Sequence, residues 1–170
     1  MTRVLVAYAS KMGATKEIAE AVAARLTERG CPAQARDAGS VDSVDGFDAV
    51  VLGSAVYATR WRPEAVRFAR RHRGELSTRA VWLFESGWVG TRPRVVVPTR
   101  TARRRARRLG APPPMVFGGR LDPELATGRL DRALAKSLSG DARDWDDIRS
   151  WANTVADALA PGHERKEGLR

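Results

Sequence analysis

Residues 1–16 read MTRVLVAYASKMGATK, so a short apolar run stands directly before a loop of small and polar residues. The run Val4–Tyr8 predicts a buried strand, and the apolar spacing from Lys16 onwards predicts a helix. Such a strand–loop–helix unit can cradle a phosphate group, because loop N–H groups and the positive end of the helix converge on it. The candidate cradle residues are Ser10, Lys11, Met12, Gly13, Ala14 and Thr15.

The motif in this loop differs from two well-known phosphate-binding motifs. Its spacing matches neither GxxxxGK[ST] of the P-loop nor GxGxxG of dinucleotide-binding domains. Gly13 permits a positive φ or a close approach of the backbone to a ligand. Ser10 and Thr15 supply hydroxyl groups, and Thr15 could also cap the following helix. An ordinary strand-to-helix turn is the alternative interpretation of the loop.

The composition of the chain limits its chemistry. The 170 residues predict a single domain. Because Cys31 is the only cysteine, an internal disulfide and a cysteine-rich metal site are excluded. His72 and His163 are the only histidines, so we expect neither a metal site nor a histidine-based catalytic triad. The chain has no apolar run of about 18 residues and no signal-peptide pattern, so we expect a cytoplasmic location.

The rest of the chain alternates between predicted strands and helices. The predicted strands are Val4–Tyr8, Ala33–Ala38, Ala49–Leu52, Ala80–Phe84 and Met115–Gly119. The predicted helices are Lys16–Arg29, Pro63–Arg73, Pro98–Leu109, Leu125–Leu138 and a last one capped by Asp144, with Ile148, Trp151, Val155 and Leu159 on its apolar face. The strands are continuous apolar runs, which indicates burial on both faces of a parallel sheet. We therefore expect a doubly wound α/β three-layer sandwich over residues 1–160, with five parallel strands in the order 2-1-3-4-5 and a flexible tail at 161–170.

Three loops follow the ends of neighbouring strands in that order. They are Ser10–Thr15, Ser54–Trp61 and Glu85–Gly90, and they meet at the carboxyl edge, where ligands of such folds bind. Tyr57 and Trp61 could stack on a flat ring, and Trp88 could cover one of its faces, whereas Trp82 lies inside a strand and is expected to pack in the core. The further candidate contacts are Ser54, Ala55, Val56, Tyr57, Glu85, Ser86, Gly87 and Trp88.

Four segments of the chain resemble one known family. They are YASKMGATKEIAEAVAARL (8–26), GSAVYATRWRPEAVRFARRHRGEL (53–76), FGGRLDPELATGRLDRALAKSLSG (117–140) and RDWDDIRSWANTVADAL (143–159). The first is similar to the flavodoxin loop pattern [ST]-x-[TS]-G-x-T, with Met12 at a position where a hydroxyl residue is usual. All four resemble flavodoxin-like FMN proteins of the group that includes menaquinone-dependent protoporphyrinogen IX dehydrogenase.

The resemblance implies a noncovalent FMN cofactor and an oxidoreductase that passes electrons from a reduced substrate to a quinone. The segment after Gly119 is polar, whereas the corresponding segment of the quinone-linked enzymes is comparatively aromatic and basic. The alternatives are a noncatalytic electron-transfer protein that docks a redox partner, and a related fold that has lost its flavin. A homodimer is also left open, and no catalytic residue is identified.

The formal net charge of +10, carried almost wholly by arginine, favours anionic partners. Arginines are densest in Arg100–Arg108, where we expect Ala102, Ala106 and Leu109 to face the sheet and the arginines to face solvent. The interpretations are a solvated helix face, or a contact with an anionic membrane or an acidic redox partner. Nucleic acid is not expected, because no recognition motif for it accompanies the charge.

Overall fold

A computed structural model of the chain describes residues 1–88, 97–121, 124, 128–129, 132–133 and 140–160. The strands are Val4–Ala9 (β1), Ala33–Asp37 (β2), Ala49–Tyr57 (β3), Arg60–Trp61 (β4), Ala80–Trp88 (β5), Met115–Gly118 (β6), Arg120–Leu121 (β7) and Gly140–Asp141 (β8). The helices are Ala14–Glu28 (α1), Pro63–Arg71 (α2), Arg73–Ser77 (α3), Arg100–Leu109 (α4) and Trp145–Leu159 (α5). The predicted helix Leu125–Leu138 lies largely, and the predicted tail wholly, outside the described residues.

The main sheet confirms the predicted topology. Its parallel strands lie in the order β2-β1-β3-β5-β6. Because the short strand β4 is not one of the five parallel strands, this is the predicted order 2-1-3-4-5. In the register of the central strands, Val6 lies between Ala35 and Val51. The two-residue strand β4 adds an antiparallel edge to β3, and β7 pairs with β8 in a separate antiparallel ladder.

Two hydrophobic cores cover the two faces of this sheet. Leu5 of β1 points into a core that also contains Phe68 of α2 and residues of α3 and α4. Its neighbour Val6 points to the opposite face, where Ile18 of α1 and Ile148 of α5 pack. Both faces are therefore buried between helical layers, which explains why the strands are continuously apolar. Trp82 is partly buried against the second core, as expected.

Several element boundaries differ from the expected ones. The strands β3 and β5 continue past their apolar runs, because they pair with each other as far as Ala55 and Ser86. Beyond that point β3 pairs with β4 up to Tyr57, and Trp88 of β5 pairs with Gly118 of β6. The predicted helix Pro63–Arg73 is two helices, α2 and α3, separated at His72. The predicted cap Thr15 is wrong, since α1 begins at Ala14, two residues before the predicted start, and its N-cap is Gly13.

The start of α5 confirms the predicted cap. The Asp144 carboxylate accepts hydrogen bonds from the backbone N–H groups of Asp146 and Asp147, which satisfies two donors of the first turn. The predicted stripe is partly right: Ile148 and Val155 are fully buried, whereas Trp151 and Leu159 only flank the core. The additional buried residues of α5 are Ala152 and Ala156.

Candidate functional site

A hydrogen bond between two predicted loops joins the predicted phosphate loop, Ser10–Thr15, to β5. Thr15 Oγ1 and Ser86 Oγ lie 2.9 Å apart, although 71 positions separate these residues in the chain. Both side chains are almost completely buried, with 1% and 2% of their surface exposed. The structure therefore brings the first and third predicted segments together at the carboxyl edge of the sheet.

The backbone and hydroxyl groups of the phosphate loop fit an anionic group. Gly13 has φ of +82°, a conformation that side chains rarely adopt, and it precedes the first turn of α1. Ser10 Oγ is buried without a hydrogen-bond partner. Buried hydroxyl groups are normally hydrogen-bonded, so this one has room for a partner from a bound ligand. Met12 and Ala14 are buried beside it.

The second predicted loop, Ser54–Trp61, is mostly strand, because β3 continues to Tyr57 and β4 begins at Arg60, with a tight turn at Ala58 and Thr59 between them. Ala58 and Thr59 have φ of 47° and 62°, so two consecutive residues other than glycine occupy the left-handed region. Such residues cost roughly 1–2 kcal/mol each and are concentrated at functional sites. Next to this turn, the Lys11 ammonium lies 4.9 Å from the centre of the Tyr57 ring. The first and second predicted segments are therefore also adjacent.

The structure gives Trp61 a core position rather than an exposed one. Its side chain is 5% exposed, its Nε1 donates to Glu85 Oε2 over 2.8 Å, and the Arg105 guanidinium lies 4.8 Å from the ring centre. The prediction that Trp61 stacks on a ligand is therefore wrong, because the indole is already enclosed. Arg105 is correspondingly half-buried, so it is the exception to the expected solvent-facing arginines of α4.

Glu85 is a buried acceptor that connects three elements. Its carboxylate also accepts from the Thr99 backbone N–H over 2.6 Å and from Thr99 Oγ1 over 2.9 Å. Thr99 in turn caps α4 by accepting from Ala102 N–H. Glu85 thus links β5 to β4 through Trp61 and to the start of α4 through Thr99. A contact between Glu85 and a cofactor stays a prediction.

The other predicted contacts lie on β3 and β5. Ser54 is fully buried, and its hydroxyl accepts the Arg62 N–H over 2.9 Å and donates to the Ala55 carbonyl. A Cβ on Gly87 would lie 2.8 Å from the Val56 carbonyl oxygen, so the two strands approach closely here. Of Trp88, only the backbone at the end of β5 is described.

A carboxylate–arginine cluster beside the phosphate loop was missed by the sequence analysis. It consists of Glu17, Arg120, Asp141 and Arg143. Hydrogen bonds from Arg143 hold the pKa values of Glu17 and Asp141 below their usual range, and desolvation opposes this effect. Because both carboxylates are more acidic in the folded state, the stability that they contribute is present at neutral pH and is lost as the pH falls through their folded-state pKa values.

The signals for this cluster were weak, because its members come from three separate parts of the chain, at positions 17, 120 and 141–143. The polar segment after Gly119 begins with Arg120, but nothing in the sequence links it to Glu17 or Arg143. Among the described residues, no three histidine, cysteine or acidic side chains form a group that could hold a metal ion. Within the same residues, no helix is long and apolar enough to cross a membrane.

Fold and site together define a doubly wound α/β domain with its polar loops at the carboxyl edge. The model of the family described as "Flavodoxin domain" matches residues 5–128, and the chain belongs to this family. Membership implies FMN as the cofactor. The positive φ of Gly13 and the unpartnered Ser10 hydroxyl fit the phosphate group of such a ligand.

Solved structures are similar to this chain in fold. Flavodoxin 2 from Bacillus cereus has 19% identity and a TM-score of 0.63, covering 92% of this chain and 99% of that one. Flavodoxin 1 from Bacillus cereus has 14% identity and a TM-score of 0.65, with coverages of 94% and 100%. Rubredoxin oxygen:oxidoreductase from Desulfovibrio gigas has 16% identity and a TM-score of 0.65, and 94% of this chain matches 36% of that protein. No match was found among curated protein sequences.

Proposed function

We propose that this chain is an FMN-dependent oxidoreductase that holds the FMN phosphate at Ser10–Thr15. The observation that carries the proposal is the buried Ser10 hydroxyl without a partner, at the start of a loop whose far end is tied to β5. A phosphate oxygen would satisfy this hydroxyl. The N-terminus of α1 would add the partial positive charge that favours anions.

The remaining predicted residues would surround the flavin ring. Tyr57 and Trp88 are the candidates for stacking, and the segments Ser54–Tyr57 and Glu85–Trp88 would supply backbone contacts to the polar ring edges. When bound, FMN supplies the redox chemistry. The protein's own contribution is to bind and orient the cofactor and to set the charge around it.

For the substrate, we propose the protoporphyrinogen IX dehydrogenase type of reaction, with electrons passed to a quinone. The four segments that resemble this group support it. The test is anaerobic turnover of protoporphyrinogen IX by the FMN-loaded protein with a soluble menaquinone analogue. Flavin reduction by the substrate is expected. A loaded protein that this substrate does not reduce would contradict the assignment.

The second candidate function is electron transfer to an acidic redox protein through α4. Five arginines of α4 are exposed, whereas its apolar residues Ala102, Ala106 and Leu109 are all buried. The helix therefore has no apolar side chain to insert into a bilayer and offers charge alone, which steers acidic proteins. The arginine face of α4 begins beside the proposed flavin site, because Thr99, at the start of the helix, is hydrogen-bonded to Glu85.

Weakened FMN binding is expected when Thr15 is replaced by alanine. The change removes one hydroxyl from the proposed cradle and leaves Ser86 Oγ without its partner. A contact to a charged group contributes about 1.5–3 kcal/mol, so the dissociation constant should rise about 10- to 100-fold. Quenching of flavin fluorescence measures it. The exposed Thr154→Ala on α5 is the control, and equal affinities of the two variants would contradict the proposed phosphate position.

Slower electron transfer from an acidic ferredoxin is expected when Arg103, Arg104, Arg107 and Arg108 are all replaced by glutamine. Stopped-flow rates over a salt series measure this electrostatic steering, because salt screens charges over a Debye length of about 8–10 Å. The control removes the same charge from the exposed Arg67, Arg70, Arg71 and Arg73. Equal rates in both variants would argue against docking through α4. Selective loss of binding to anionic liposomes, with ferredoxin rates unchanged, would favour a membrane contact instead.

A further inference from the structure

The strands β7 and β8 bring two arginines to the start of α1. Arg120 Nη2 donates to Glu17 Oε1 over 2.9 Å, and Arg143 Nη1 donates to Glu17 Oε2 over 2.5 Å. Glu17 lies in the first turn of α1. Arg120 Nη2 is also 3.7 Å from the position that a Cβ of Gly13 would occupy. A guanidinium group therefore borders the proposed phosphate loop.

The two arginines differ in how fully their donors are used. Arg143 donates to Asp141 through Nε and Nη2 and to Glu17 through Nη1. Its guanidinium lies 4.7 Å from the centre of the Trp145 ring. Its side chain is only 4% exposed. Arg120 donates only to Glu17 among these contacts, and its Nε is buried without a partner.

Two buried polar atoms without partners belong to residues of this region: Ser10 Oγ at the start of the loop, and Nε of Arg120, the residue whose Nη2 borders Gly13. Each carries a donor, and leaving a buried donor unpaired is costly. An anion with several oxygen acceptors would relieve both. Arginine suits such a ligand, because its planar group can donate two parallel hydrogen bonds to phosphate.

We propose that Arg120 pairs with the phosphate group of bound FMN and makes the cradle selective for the phosphorylated flavin. This inference rests on the proposed function. Glu17 and Arg143 are positioning residues: Glu17 holds Arg120 beside Gly13, Arg143 holds Glu17, and Asp141 keeps Arg143 in place. Arg120 then adds a guanidinium group, itself paired with Glu17, where the loop otherwise offers hydroxyl groups, backbone N–H groups and the end of a helix.

The test compares FMN with riboflavin, which lacks the phosphate, as ligands of the apoprotein. Replacing Arg120 by glutamine is expected to weaken FMN binding about 10- to 100-fold and to leave riboflavin binding unchanged. Arg120→Lys should retain part of the preference, because it keeps the charge but loses the planar fork. The FMN affinity of the glutamine variant should also depend less on salt. Arg149→Gln, at a side chain that is 58% exposed on α5, is the matched control.

Two results would overturn this inference while leaving the proposed function intact. An equal loss of FMN and riboflavin affinity would mean that Arg120 acts through the packing of β7 alone. Unchanged affinity for both ligands would mean that Arg120 does not contact the phosphate. If the wild-type protein bound neither flavin, the proposed function itself would fail and this inference with it. Thermal unfolding of each apoprotein checks that the variants are folded.

Discussion

Replacing Gly53 by alanine is expected to destabilise the domain by about 3 kcal/mol, because overpacking a closed core forces side chains and backbone to shift. A Cβ at this position would lie 2.1, 2.3 and 2.6 Å from three carbons of the Phe84 ring. Phe84 is fully buried, and its ring is in contact with Phe117 and Trp151 at centroid distances of 5.7 and 5.8 Å. A Cβ at position 53 would therefore force this packed ring or the strand to shift.

The measurement is the free energy of unfolding in urea. Gly74→Ala in α3 is the control, because no heavy atom lies within 4 Å of its Cβ position, and alanine in a helix is expected to stabilise by about 0.5–1 kcal/mol. The double variant Gly53→Ala with Phe84→Leu should lose less stability than the sum of its single changes, since the smaller side chain relieves the overlap. Equal stabilities of the Gly53 and Gly74 variants would contradict the expected overlap.

Replacing Glu85 by alanine is expected to cost at least about 2 kcal/mol, since each buried donor left without an acceptor costs about 1–3 kcal/mol. Trp61 Nε1 and Thr99 N lose their acceptor at once, whereas Thr99 Oγ1 keeps Thr101 Oγ1 as a partner 3.0 Å away. Glu85 is 2% exposed, so water cannot readily replace the carboxylate. Glu85→Gln should cost less, because the amide keeps one acceptor oxygen.

Thermal unfolding measures this cost, and the near-ultraviolet circular dichroism, to which all five tryptophans contribute, should also change as Trp61 loses its partner. The control is Glu20→Ala, at a side chain that is 53% exposed and forms a surface ion pair with Lys16. Its expected effect is within about 0.5 kcal/mol. A Glu85→Ala variant as stable as this control would show that the carboxylate does not hold β4 and α4 against β5.

Features that depend on nearby residues were predictable from the sequence. The run Val4–Tyr8 indicated β1, and the Asp144 cap was recognised because capping involves only the next three residues. The order of the parallel strands followed from continuous apolar runs and the preferred topology of such sheets. The position of Ser10–Thr15 after β1 followed for the same reason.

Element ends were less predictable, because strand pairing decides them. The strand β3 continues past its apolar run to Tyr57, since residues as far as Ala55 pair with β5 and β4 turns back on Val56 and Tyr57. The predicted N-cap of α1, Thr15, was wrong for a related reason. The Thr15 hydroxyl is held by Ser86 of the adjacent strand end, and Gly13 takes the capping position.

By itself, the sequence determined the periodic pattern of the elements, the doubly wound class and the loops that carry the candidate site. These depend on hydrophobic periodicity and short-range capping, which are written within a few neighbouring residues. Only the tertiary structure decided that Trp61 lies in the core against Glu85, and that Arg120 and Arg143 meet Glu17 across 103 and 126 positions of the chain. A buried polar group must find a partner, and which distant segment supplies it is set by how the layers pack.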